Sequence, residues 1–138
     1  MTVHTQTFEI RTKGKGTYEI TGEIGEIVAR SEIATGTVTV FVRHTSCSLI
    51  IMENAAPAAR RDLEKFFERL VPEDADYEHD DEGPDDMPAH LKTALTQVQL
   101  SVPVMDGRLM LGTWQGIYLF EHRAHPSTRE IVLHLVGE

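Results

Sequence analysis

The chain has 138 residues and one cysteine, Cys47, which excludes an intrachain disulfide and leaves packing alone to hold the fold. A hydrophobic fraction of 41% and a charged fraction of 25% exclude disorder over any long stretch and fit a single α+β domain over residues 1–138. The net charge of −9 is concentrated in one place. Glu73, Asp74, Asp76, Glu78, Asp80, Asp81, Glu82, Asp85 and Asp86 fall in a segment without Lys or Arg, and the remaining 13 acids match 13 bases. A neutral body with no basic stripe argues against nucleic-acid binding. No apolar stretch approaches the ~20 residues that span a bilayer, and the N-terminus lacks a basic-then-apolar leader. The expectation is a cytoplasmic protein with no membrane association.

In chain order, Thr5 to Thr12 alternates as a first strand, and Thr21 to Ile33 spaces Ile24, Ile27 and Val28 as a short helix. From Thr37 the valines 38, 40 and 42 share one strand face, with His44 at its end. Ser48 to Met52 is apolar on both faces, as in a buried central strand. Pro57 to Val71 predicts a helix whose stripe of Ala59, Leu63, Phe66, Phe67 and Leu70 faces inward. After the acidic segment, Asp86 reads as an N-cap before Pro88, with Leu91, Ala94 and Leu95 inward. Val98 to Met105, Asp106-Gly107 and Arg108 to Leu111 predict a hairpin, with Pro103 at an edge or bulge. Two more strands, Ile117 to Arg123 and Glu130 to Val136, complete antiparallel β-sandwich-like sheets with two or three helices.

Seven histidines invite a metal reading, although none belongs to a local metal-binding pattern. His122 and His125 fall on opposite faces of a predicted strand, His134 reads as a core or interface residue, and His4 lies in the terminus. His44, His79 and His90 are the candidates by placement, beside an acidic loop that would offset a divalent cation. Cys47 near His44 could pair as nucleophile and base, but strand parity separates them, so the thiol reads as a small buried apolar group. Ser46 and Ser48 lack a nucleophile-elbow context. Glu53 and Asn54 are either capping groups or ligand contacts. Glu121 needs a partner, Arg123 or Arg108, and Trp114 reads as a packing residue.

His44-Thr45-Ser46-Cys47-Ser48-Leu49 with Glu53-Asn54-Ala55 resembles a signature of the YjbQ-like family. Glu82 to Lys92 resembles a second, and Asp106-Gly107-Arg108 with Leu111 to Leu119 a third. The resemblance implies a β-sandwich-like homotrimer with sites near subunit boundaries, and for some members a secondary thiamine-phosphate synthase activity. It implies His44, Glu53, His90 and Arg108 as catalytic, Asn54, Lys92 and Gln115 as binding residues, and His44, His79 and His90 around Mg²⁺ or Zn²⁺. Arg43, Lys92 and Arg108 would face the departing pyrophosphate of a small-molecule substrate. The chain departs from the family at Pro84-Asp85, where many relatives have Asn, and at Cys47, where others have a small residue such as Ala. The alternative is a metal- or anion-binding module with incidental turnover. A purely structural protein is the third reading.

Overall fold

The computed structural model describes all residues from Met1 to Glu138. Eight strands and three helices follow in the order β1 (Thr2–Thr12), β2 (Gly16–Glu19), α1 (Thr21–Arg30), β3 (Gly36–Val42), β4 (Cys47–Glu53), α2 (Pro57–Leu70), α3 (Asp86–Leu95), β5 (Gln99–Met105), β6 (Arg108–Leu109), β7 (Gln115–Glu121) and β8 (Ser127–Gly137). The strands form two antiparallel sheets, β1-β8-β3-β5-β6 and β2-β7-β4. The fold is therefore α+β, as the pattern predicts. None of the helices is long and apolar enough to cross a membrane.

Period-two alternation builds the core. Val38, Val40 and Val42 of β3, Leu100, Val102 and Val104 of β5, and Ile131, Leu133 and Leu135 of β8 all point inward from the first sheet. They meet Leu49, Ile117 and Leu119 of the second sheet and the Ile24, Ile27 and Val28 face of α1. The β5–β6 hairpin turns at Asp106 (φ 54°) and Gly107 (φ 71°), the paired left-handed conformation that an Asp-Gly sequence favours.

Several expectations are corrected. β1 starts at Thr2, β2 was not foreseen, and α1 stops at Arg30 rather than Ile33. β4 is an edge strand pairing only β7, and its outer side is met by a single bond from the Leu49 N–H to the Gln97 carbonyl, 2.7 Å. α2 buries no residue fully, with Phe66 and Leu70 about half exposed. In α3 the inward face is Asp86, Pro88, Ala89, Lys92 and Thr93, so Ala94 and Leu95 point outward. Trp114 is 64% exposed. His125 lies in a loop, and His134 is exposed with its Nδ1 2.7 Å from Thr5 Oγ1.

Glu121 finds neither Arg123 nor Arg108. Its partner is Arg129 of β8, which approaches through Nε–Oε1 at 2.8 Å and a second nitrogen–Oε2 contact at 2.5 Å. Thr12 donates to Oε1 at 2.7 Å, and the His122 and Arg123 amides donate to Oε2. The pair is buried, and it joins the two sheets because β7 and β8 belong to different ones. Burial opposes the Glu121 charge, yet the Arg129 and Thr12 bonds hold its carboxyl below the usual carboxylate range. Replacing one member strands the other charge in the interior, a loss of about 3–5 kcal/mol. Urea unfolding should therefore show Arg129→Met destabilised by about that much, with Glu121→Leu/Arg129→Met recovering most of it.

Candidate metal centre

The segment 82–86 is held by one guanidinium. Arg123 donates from Nε to Asp85 Oδ2 (2.9 Å), from Nη1 to Asp86 Oδ1 (2.6 Å) and from Nη2 to the Glu82 carbonyl (3.1 Å). The Ala124 amide adds a bond to Asp85 Oδ2 at 2.8 Å. Such a fork bridging two carboxylates is what Arg supplies and Lys does not. It explains how Asp85 and Asp86 can be 7% and 3% exposed at the head of α3. Burial works against both charges, but the Ala124 and Arg123 bonds lower Asp85, and His79, His90 and Arg123 lower Asp86.

The clamp uses Asp86 Oδ1 and leaves Oδ2 facing two imidazoles. His79 Nε2 lies 2.8 Å from it and His90 Nε2 3.1 Å. Asp86 and His90 are four apart in α3 and so share a face. His90 Nδ1 donates to the Thr45 carbonyl at 2.8 Å, which fixes the tautomer. Its Nε2 lone pair then faces a carboxylate that only accepts, so a proton or a metal cation must lie between them. A carbonyl-oriented imidazole is also the usual second partner of a metal-binding histidine. One donor atom from each of His79, Asp86 and His90 lies within 4.8 Å of the others. The hydrogen bond that His79 donates to Asp86 raises the His79 pKa, with Glu82 adding to it through Oε2 at 3.1 Å.

His44 is not in this cluster. Its Nε2 accepts the Glu130 amide at 2.8 Å, and burial, followed by the Arg129 charge, lowers its pKa. It does share with His90 an open groove of about 850 Å³, walled by Phe41, Thr93, Ala94 and Val98. Arg43 at this groove pairs with Glu130 at 2.9 Å.

The other expected site residues are elsewhere. Arg108 pairs with Met105, at the Gly36 end of β3, whereas His44 follows the opposite end, a strand of seven residues or about 20 Å away. Glu53 Oε2 accepts the Ala55 and Ala56 amides, which orders the turn ahead of α2. Asn54 Nδ2 donates to the Thr113 and Gln115 carbonyls, and Gln115 Oε1 accepts the Gly112 amide. These three sit at the end of β4 remote from Cys47. Lys92 is buried on the other face of α3 against Glu68. Cys47 is buried, and burial pushes its thiol up to about 12, so it supplies no thiolate.

Sequence reasoning missed Asp86 as a ligand, having read it as a cap; its four-residue spacing to His90 in a predicted helix was the available signal. It also missed His122, which is buried with Nε2 2.9 Å from Ser48 Oγ.

A family model described as "UPF0047 protein YjbQ-like" matches residues 6–138. The chain belongs to the YjbQ-like family. A member from Synechocystis is 50% identical over 98% of this chain and 92% of its own length. YjbQ of Escherichia coli O157:H7 is 42% identical, covering 96% and 97% respectively. Among solved structures, a YjbQ-family protein from Clostridium acetobutylicum superposes with a TM-score of 0.88 at 29% identity, covering 95% of this chain and 99% of that one. A conserved hypothetical protein from Thermus thermophilus gives 0.85 at 34% identity, with the same shares. The YjbQ-like fold thus extends over nearly the whole chain.

His122 offers a pH test. Burial first, then the charges of Lys92 and Arg129, lowers its pKa to about 3. The unfolded chain takes a proton there near the ordinary pKa of 6.5, while the folded one stays neutral to about 3. Its contribution is intact above pH 6.5 and is lost as pH falls below that value. Denaturant midpoints between pH 7 and 5 should fall for the parent and flatten for His122→Gln.

Proposed function

We propose that His79, Asp86 and His90 bind a divalent transition ion and that the adjoining groove presents a small molecule to it. The observation that supports this most directly is the approach of His90 Nε2 to Asp86 Oδ2 at 3.1 Å, in a ring oriented by the Thr45 carbonyl. Two imidazoles and one carboxylate form a three-ligand set of the kind that leaves zinc a fourth position open. Nitrogen donors favour Zn²⁺ over Mg²⁺, which prefers oxygen. A zinc ion so held supplies a Lewis acid and a water acidic enough to ionise near neutral pH. Of the chain's own groups, Glu82 stands beside His79 to exchange a proton, and His44 presents a neutral Nδ1–H toward the shared groove.

The transfer implied by the family resemblance, a pyrimidine diphosphate joined to a thiazole phosphate, draws less support. Arg43 is paired with Glu130, Lys92 is enclosed, and Arg108 is at the far end of the sheet, so no cationic cradle for a pyrophosphate adjoins the centre. The acidic loop beside His79 favours neutral or cationic substrates instead. A homotrimer remains the proposed assembly, supported by exposed apolar side chains such as Phe41 at the groove.

Metal analysis of zinc-loaded, desalted protein should give one zinc per chain, with His79→Ala/His90→Ala giving none and His44→Ala unchanged. Affinity should fall as pH drops through the raised His79 pKa, because protons compete for the same lone pairs. Full zinc in the double variant would sink the assignment. A thiamine-phosphate assay on the same samples tests the transfer reading, which requires turnover lost with His90.

A further inference from the structure

A second polar cavity lies beneath α2, on the side of α3 away from the metal centre. It has a volume of about 150 Å³. At ~30 Å³ per water, it has room for about five waters or a short organic acid. Its walls carry Lys92 and His122, 2% and 1% exposed, with Lys15 at the mouth and Phe67 and Phe120 on one side. The two rings pack edge to face at 5.5 Å.

Both buried groups have donors to spare. The Lys92 ammonium has three N–H groups and one partner, the Glu68 carboxylate. Ser48 is fully buried, and its hydroxyl has one partner, His122 Nε2. With that hydroxyl donating to Nε2, the neutral ring carries its proton on Nδ1, which has no hydrogen-bond partner. The cavity therefore combines spare donors and two aromatic rings with the carboxylates of Glu64, Glu68 and Glu121.

Glu68 already shows what chemistry suits those donors. It reaches from α2, itself 45% exposed at the side chain, to Lys92 and to Lys15 (3.2 Å). The other nearby carboxylates are committed: Glu64 accepts the Thr17 amide at 3.0 Å, Glu73 pairs with Lys15, and Glu121 pairs with Arg129. Glu68 is the one acceptor on Lys92, and it is held by a helix that buries nothing fully. An exogenous carboxylate could take its place without leaving Lys92 unpaired, and the chain's local charge would then fall by one while α2 loses a tether.

We propose that this cavity binds a small monocarboxylate with a short apolar body, and that Glu68 is a tethered occupant that competes with it. The carboxylate sits on Lys92, Lys15 and the His122 Nδ1–H, and the apolar body lies against Phe67 and Phe120.

The test is calorimetric titration of propionate, and separately of inorganic phosphate, at constant ionic strength. The proteins are the parent, Glu68→Ala, Glu68→Ala/Lys92→Met and Glu68→Ala/Lys15→Gln. Removing the tethered competitor should make propionate bind Glu68→Ala at least tenfold more tightly than the parent. The Lys92→Met change should abolish that binding, and Lys15→Gln should weaken it several-fold. Lys15 is at the surface, so its variant remains informative should the Lys92 variant not fold. Phosphate should bind Glu68→Ala more weakly than propionate does. Absence of saturable propionate binding to Glu68→Ala overturns the proposal. Undiminished binding in either lysine variant, or phosphate matching propionate, overturns it as well.

Discussion

The buried Glu121–Arg129 pair determines where the functional groups lie. Arg129 also donates to the Ser46 carbonyl and hydroxyl, so one guanidinium fixes the turn after β3 as well as the end of β7. On the β7 side, Glu121 Oε2 takes the amides of His122 and Arg123. That bend points His122 into the cavity and Arg123 toward the acidic loop. On the β3 side, the anchored turn presents the Thr45 carbonyl that orients His90. Every residue of the proposed centre is therefore at most three steps from one inter-sheet ion pair. Buried pairs are weak contributors to net stability compared with apolar packing. Here the pair supplies direction, which apolar contact between the sheets would not.

The excess negative charge looks different once the fold is known. Nine acids between residues 73 and 86 suggest a solvated face, and most of them are exposed. Asp85 and Asp86 are the exceptions, because Arg123 reaches across from the β7–β8 turn and satisfies one oxygen of each. The remaining acids keep the mouth of the centre negative, which attracts cations and repels anions. At the other edge of the buried face of α3, Lys92 lines a second enclosure together with Lys15, Glu64, Glu68 and Glu121. One ten-residue helix thus carries a carboxylate-centred cluster at its start and an ammonium-centred one further along.

The strands and hairpin were legible because period-two alternation and an Asp-Gly turn are local signals. β3, β5 and β8 show them cleanly, and Asp106-Gly107 adopts the expected conformation. Errors arose where tertiary context decides. Amphipathicity identified α2 but overstated its burial, since Phe66 and Leu70 have no second layer to pack against. The continuous apolar run of β4 read as central, whereas its outer side is covered by a loop and α3 instead of another strand. His79 and His90 were legible as candidates from their place around the acidic loop. Asp86 was hidden behind a plausible capping role, while His44 was expected in the cluster on a strand parity that ends at Val42. Nothing local in the sequence pairs Arg123 with residues 37 and 38 positions earlier.

The inward face of α3 explains why this helix suits a site. A helix of a globular protein is ordinarily seated by an apolar stripe, but three of the five buried residues here are Asp86, Lys92 and Thr93. Thr93 satisfies itself by donating to the Ala89 carbonyl, so the two charged groups do the anchoring. Each has one bond that holds the helix and capacity left over. Asp86 gives Oδ1 to Arg123 and keeps Oδ2; Lys92 gives one N–H to Glu68 and keeps two. A stripe of leucines would seat the helix more firmly yet offer a ligand nothing. The same side chains thus seat α3 and offer polar atoms to their neighbours, so the seating of this helix depends on charge where a leucine stripe would depend on apolar contact.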